Sequence, residues 1–262
     1  GHVLGVLRLL QAQAGRDYHS TDMSERELWQ TYLPPFKASV DAGVASFMTA
    51  FNDLNGVPAT ANNYLLQDIL RQRWGFSGFV VTDYTSINEL VPHGLAEDLP
   101  HAGQLALNAG VDMDMQGAVY SKHLPELLKA GKVSEAQIDN AVRRILEMKY
   151  KLGLFTDPYR YSDEQRQAEQ VYKAEHLAAA RDGARKSFVL LKNDNKVLPL
   201  SPTQSIALIG PLADSKADMI GSWSAAGDRI TKPVTLREAL VARLGADTQI
   251  HYAKGAGYDF TD

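Results

Sequence analysis

The 262-residue chain has no cysteine, which excludes disulfides and thiolate metal sites and leaves the compartment open. It has no apolar run long enough to span a bilayer. It also has no basic block, and its net charge is −4, so neither nucleic acid nor an anionic membrane is expected as a partner. No G-x-G-x-x-G, P-loop or G-x-S-x-G segment occurs. The nearest approach to a phosphate loop is Ile209-Gly210-Pro211, and Pro211 removes an amide that such a loop needs. Seven histidines are present without metal-ligand spacing. His93, His101 and His123 fall on separate elements, so no metal and no cofactor are expected.

What remains is an ordinary globular composition, 45% hydrophobic and 22% charged, long enough for one large domain or two smaller ones. Val3 to Leu10, followed by Ala12-Gln13-Ala14, has the outline of a signal peptide. Arg8 inside the apolar stretch and the lack of a basic segment before it argue against that role.

Residues 24–42 are predicted helical, with Ser24 and Glu27 at capping-box spacing and Pro34-Pro35 interrupting. Ala45 to Phe51 reads as a strand, and Asn55-Gly56 as a tight turn. Residues 63–74 are again helical, with Leu65, Leu66, Ile69 and Leu70 on one side. A short strand, Phe79-Val80-Val81, then leads into Asp83. Val111 to Met115 is predicted as a third strand, and a long helix opens at the capping box Ser134-Glu135-Ala136-Gln137. Its apolar stripe is Ile138, Val142, Ile145, Leu146 and Leu152. The strands begin near Ala45, Gly78 and Val111, about every thirty-three residues with helices between them, the rhythm of βαβ units; three units make either a small open sheet or part of a β/α barrel. After a polar stretch, a second α/β region holds a helix over 171–186, a buried strand over 205–210, a helix over 235–244 and a strand over 249–252.

Asp83 ends a strand of the kind buried on both faces, where α/β enzymes place their chemistry. Capping of the next turn through the amides of Thr85 or Ser86 is the competing role. Asp112 and Asp114, two apart on one strand, share a face and are expected to make structural hydrogen bonds.

Trp74-Gly75-Phe76-Ser77-Gly78-Phe79-Val80-Val81-Thr82-Asp83-Tyr84 resembles the nucleophile segment of glycoside hydrolase family 3. Phe47 to Asn52, Asn55 to Thr60 and Ala109 to Met115 resemble the flanking strands and loops. Lys149 to Phe155 is similar to the family's exit from its barrel. Phe188 to Asn193, Leu198-Pro199-Leu200 and Ile209 to Asp214 resemble the start of its second domain. The resemblance runs from Gly15 onward and points to the bacterial periplasmic β-glucosidase branch. It implies an α/β fold: the C-terminal part of a (β/α)8 TIM-type barrel over 1–152, a linker over 153–172, and the start of an α/β sandwich over 173–262.

The resemblance also implies retaining hydrolysis of terminal β-glucosyl residues with Asp83 as nucleophile. Tyr84 would stack on the sugar, Met48 would line the glycone pocket, and Asp17 would be an acid near the substrate. The partner would be a β-glucoside or oligosaccharide, and the location periplasmic or secreted. β-Xylosidase and β-N-acetylglucosaminidase are the alternatives within the family; the strand over 205–210 argues against the second. A fragment that at most binds sugar is the alternative outside catalysis.

Three departures stand out. The family's Lys-His-Phe segment is absent from residues 1–10, which are therefore expected to lie outside the family pattern. Phe51 stands where the family often has a tyrosine. The family's general acid/base, a glutamate of the second domain, is expected to lie beyond the residues given.

Overall fold

The computed structural model describes residues 20–201, 203–221, 224, 232–245 and 248–257, and the backbone of 4–7. The chain divides into two units, Gly1–Glu169 and Gln170–Asp262.

The first unit is built on parallel strands that follow chain order. β1 (Leu4–Leu7), the described part of the signal-like segment, pairs with β2 (Ser46–Thr49). After a small hairpin of β3 (Asp53–Leu54) and β4 (Val57–Pro58), β2 pairs with β5 (Phe79–Val81), with Met48 opposite Val81. The hairpin turns on Asn55 and Gly56, at φ 51° and 83°. Positive φ at both central positions is what a two-residue turn of this hand requires, and Asn-Gly supplies it.

The predicted third strand over 111–115 is reduced to a single parallel bridge, Val81 to Met113. Side chains have taken places that a backbone ladder would fill. The Val80 amide donates to the Asp112 carboxylate at 2.8 Å, and the Met115 amide to the Thr82 hydroxyl at 2.7 Å.

Helices cover one face of this sheet. The predicted 24–42 helix starts at Ser24, whose hydroxyl accepts from the Glu27 amide. It widens over Leu28–Tyr32 and restarts at Pro34–Asp41. Two consecutive prolines lack the amides that would continue the ladder, and the Leu33 amide reaches back five residues to Leu28. Phe47, at 0% exposure, meets Phe76 edge to face at 4.9 Å between ring centres. Leu66, Ile69, Leu70, Val80 and Ile87 complete the core around them. Gly78 is required here. A Cβ on it would lie 2.2 Å from the Ala45 carbonyl oxygen and 2.6 Å from the Phe76 ring.

Asp112 is almost wholly buried between two arginines, with Arg71 and Arg144 each at 2.7 Å. Arg71 also donates to the carbonyls of Phe76 and Gly78. One carboxylate thus joins β5, the helix Tyr64–Arg73 and the helix Glu135–Lys151. Burial pulls the Arg71 guanidinium down to about 10, with Asp112 opposing, and burial pushes the Asp112 carboxyl up.

The helix Glu135–Lys151 opens on the predicted capping box. Its predicted apolar stripe is only partly inward. Ile138 and Ala141 pack with Leu107, Leu127 and Val133. Val142 and Leu146 are exposed and, with Tyr150 and Phe155, line an open groove of about 640 Å³. Arg144 takes the inward direction to reach Asp112.

In the second unit, β6 (Ile206–Ile209) and β7 (Ile250–Ala253) pair in parallel with the helix Leu236–Leu244 between them, one βαβ unit. The expected buried strand is present but not buried: Ile209 is 69% exposed. Thr235 caps the helix with a full capping box, and its hydroxyl donates to Asp214 at 3.0 Å. Arg237 reaches the same carboxylate at 2.9 Å, and Lys216 reaches Glu238 at 2.9 Å.

Two outcomes follow from these charges. Asp112→Ala leaves Arg71 buried without its carboxylate and is expected to cost about 3–5 kcal/mol in urea unfolding. In the second unit, hydrogen bonds from Arg237 and Thr235 hold Asp214 below the usual carboxylate range. The Thr235 amide and Lys216 do the same for Glu238. A lowered folded-state value gives stability that is present above the ordinary range and lost as pH falls through the lowered one. The signal of the Leu236–Leu244 helix should therefore weaken on acidification, and Asp214→Asn should flatten that dependence in a urea series measured at several pH values.

Candidate active site

Strand alternation puts Phe47 and Val80 toward the helices, and Met48 and Val81 on the opposite face. Asp83 follows two residues beyond Val81, just past the carboxyl end of β5, and is 7% exposed. One of its carboxylate oxygens accepts from the Tyr84 amide at 2.7 Å. The Ser86 amide donates to its backbone carbonyl at 3.1 Å. The turn is further tied to the 111–115 segment, because the amides of Thr82 and Thr85 donate to the carbonyls of Met113 and Met115.

Of the residues singled out in the sequence, Met48, Asp83 and Tyr84 gather at this end of the sheet. Met48 is half-buried beside Val81. Tyr84 is 56% exposed, with its ring available to a flat partner. Asp17 lies outside the described residues. Asp112 and Asp114 do the structural work expected of them. Asp114 accepts from the amides of Val119 and Tyr120 at the start of the helix Val119–Lys129.

Behind Asp83 lies a group that the sequence reading passed over. Thr49, Thr60 and Ser86 form a buried chain of hydroxyls, with contacts of 2.9 and 3.0 Å. It links the end of β2, the turn Ala59–Ala61 and the Asp83 turn. Thr60 and Ser86 also line a narrow crevice, with no room for a water molecule, together with Phe51, Glu89, Leu90 and His93. Burial raises the Glu89 carboxyl above its ordinary range; His93 opposes this and the Asp83 charge adds to it. The spacing Asp83, Ser86, Glu89, His93 repeats at three- and four-residue steps and was available in the sequence. Among the described residues no cluster of three or more metal-ligating side chains occurs.

A buried carboxylate past the end of a parallel strand, flanked by an exposed aromatic, is an arrangement suited to covalent chemistry on a sugar. The wider comparisons agree in class. Residues 10–148 match the glycosyl hydrolase family 3 N terminal domain, and residues 188–259 match that family's C-terminal domain. The chain belongs to glycoside hydrolase family 3.

Within the family it is 46% identical, over 93% of its length, to a periplasmic β-glucosidase of Salmonella typhimurium, of which it covers 32%. It is 39% identical, over 91% of its length, to a β-xylosidase of Formosa agariphila, of which it covers 35%. Among solved structures it resembles a β-glucosidase from Listeria innocua in complex with glucose. That match has a TM-score of 0.79 and 36% identity, and covers 95% of this chain and 34% of that one. The chain thus spans about a third of the length of these relatives.

The hydroxyl chain yields a direct test. Thr60→Val removes the middle hydroxyl and strands two buried ones, at an expected cost of about 1–3 kcal/mol in thermal or urea unfolding.

Proposed function

We propose that this chain carries the nucleophile half of a retaining β-glucosidase, with Asp83 as the attacking carboxylate. An Asp83 oxygen forms a bond to the anomeric carbon as the bond to the leaving oxygen breaks. That oxygen departs with the electron pair and takes a proton from a general acid. Water then cleaves the glycosyl ester and regenerates Asp83. Tyr84 stacks on the sugar, Met48 lines the glycone pocket, and Asp17 is an acid near the substrate.

The observation that supports this most is the position of Asp83, a buried carboxylate past the carboxyl end of β5 in a parallel sheet that follows chain order. Sheets of doubly wound proteins reverse their order at the ligand site, whereas barrel sheets do not. We therefore read residues 1–152 as the C-terminal part of a (β/α)8 barrel, 153–172 as a linker and 173–262 as the start of an α/β sandwich. A retaining site needs a second carboxylate about 5 Å from the first, and we assign that group to sequence outside these 262 residues. The periplasmic relative supports a periplasmic or secreted location.

The β-xylosidase relative supports a second reading, in which the sugar is a pentose. Relative turnover of aryl β-glucoside and aryl β-xyloside by a chain extended to the relatives' length separates the two. In that extended chain, Asp83→Asn is expected to lower kcat on the order of 10⁴-fold, as loss of a nucleophile does, with an unchanged urea midpoint. Retained turnover would remove Asp83 from the role. The 262-residue chain alone is expected to leave the aryl glucoside intact.

A further inference from the structure

Among the described residues of the first unit, four that are not glycine have a positive φ: Asn55, Thr85, Gln116 and Ala118, at 51°, 60°, 66° and 57°. Asn55 serves the hairpin. The other three lie on two neighbouring segments, just past the carboxyl ends of β5 and of the 111–115 segment that bridges to it. Threonine, glutamine and alanine gain nothing locally from the left-handed region, which glycine and asparagine tolerate better. Such a backbone persists where its surroundings impose it, and it gathers at ligand sites.

Here the surroundings do impose it. The Met115 amide donates to the Thr82 hydroxyl at 2.7 Å, and the Thr85 amide donates to the Met115 carbonyl at 3.0 Å. These two bonds bracket Asp83. On the other side of Gln116, a Cβ on Gly117 would lie 2.3 Å from Asn88 Oδ1 and 2.7 Å from Asp114 Oδ1. The Val119 and Tyr120 amides then donate to Asp114 at 2.6 and 3.2 Å. Gln116 is thus held between two fixed points, one residue from the bonds that tie down the Asp83 turn. Its side chain is exposed and has no hydrogen-bond partner among the described residues. The fold constrains this backbone and makes no use of the amide that it carries.

We infer that Gln116 is a specificity-determining residue whose side-chain amide hydrogen-bonds the hydroxyls of a saccharide leaving group. This rests on the reading of Asp83 as nucleophile, and narrows the substrate to a β-glucoside whose leaving group is itself a sugar. Asp83 is 7% exposed, so the ring that it attacks lies deepest and the leaving group lies outward, at the level of the exposed Tyr84 and Gln116. A carboxamide holds two donors and an acceptor in one plane, and adjacent sugar hydroxyls both donate and accept. The fixed backbone lowers the ordering cost of that contact. A phenyl leaving group has no hydroxyl to offer it.

The test uses the chain extended to the relatives' length. It compares kcat/KM for cellobiose and laminaribiose with kcat/KM for phenyl β-glucoside. Gln116→Ala is expected to lower the disaccharide-to-phenyl ratio about tenfold, the worth of one lost hydrogen bond. Gln116→Gly, which takes the left-handed region freely, is expected to lower it equally, and reads the same ratio should Gln116→Ala fail to fold. A glutamine with only a structural role would lower turnover of both substrate types together. An unmoved ratio in both variants overturns the proposal, as does an extended enzyme that cleaves the phenyl glucoside but neither disaccharide. An unmoved ratio beside an inactive extended Asp83→Asn enzyme removes Gln116 alone. A lowered ratio beside an active Asp83→Asn enzyme keeps Gln116 at the site and removes Asp83 as nucleophile.

Discussion

The buried contact between Asp112 and its two arginines is the constraint on which the rest of the first unit depends. Its partners come from places far apart in sequence, with Arg71 41 residues and Arg144 32 residues away. An ion pair out of water brings little net stability of its own, because desolvation offsets the attraction. Its value is in what it forbids. Arg71 cannot hold Asp112 and the carbonyls of Phe76 and Gly78 at once unless β5, its preceding turn and the 111–115 segment are all in register. A slip of one residue would turn Val80 outward and leave a buried charge alone.

That constraint lies at the start of β5, and Asp83 lies just past its end. Between them are three residues whose length and direction are fixed by pairing to Met48 on one side and Met113 on the other. Asp83 therefore inherits its position from a clamp it never meets. The hydroxyl chain through Thr49, Thr60 and Ser86 performs the matching task at the upper end. Hydroxyls suit that place because each can both donate and accept, so a buried chain of them closes without an unpaired group.

Much of this was legible in the sequence. The alternation of strands and helices, the Asn-Gly hairpin, the capping box at Ser134 and the break at Pro34-Pro35 are local signals and came through. The short motifs around Asp83 identified the family because several independent segments agreed in order. What stayed hidden was whatever depends on partners distant in sequence. Leu4–Leu7 gives no sequence sign of its strand role, which shows only with β2 beside it. The 111–115 segment has the alternation of a strand, yet Asp112 and Thr82 divert its amide partners into side-chain bonds. Val142 and Leu146 carry helical periodicity but no instruction about which face turns inward; Arg144 decided that. His93 reads from sequence only as a histidine without metal spacing, and its place beside Phe51 and Thr60 appears only in the fold.

The chain-order sheet also bears on how the unit forms. Each strand pairs with a neighbour only one β/α step away, as Val80 and Asp112 do across 32 residues. Parallel sheets are slow to fold when their strands must search across a whole domain. Here every new strand finds its partner already in place, so the sheet can grow from one side as the polypeptide emerges during synthesis. The strand that leads to Asp83 is then seated before the long helix that bears Arg144 has been made. The clamp on Asp112 acts as a lock closed late on a register chosen early.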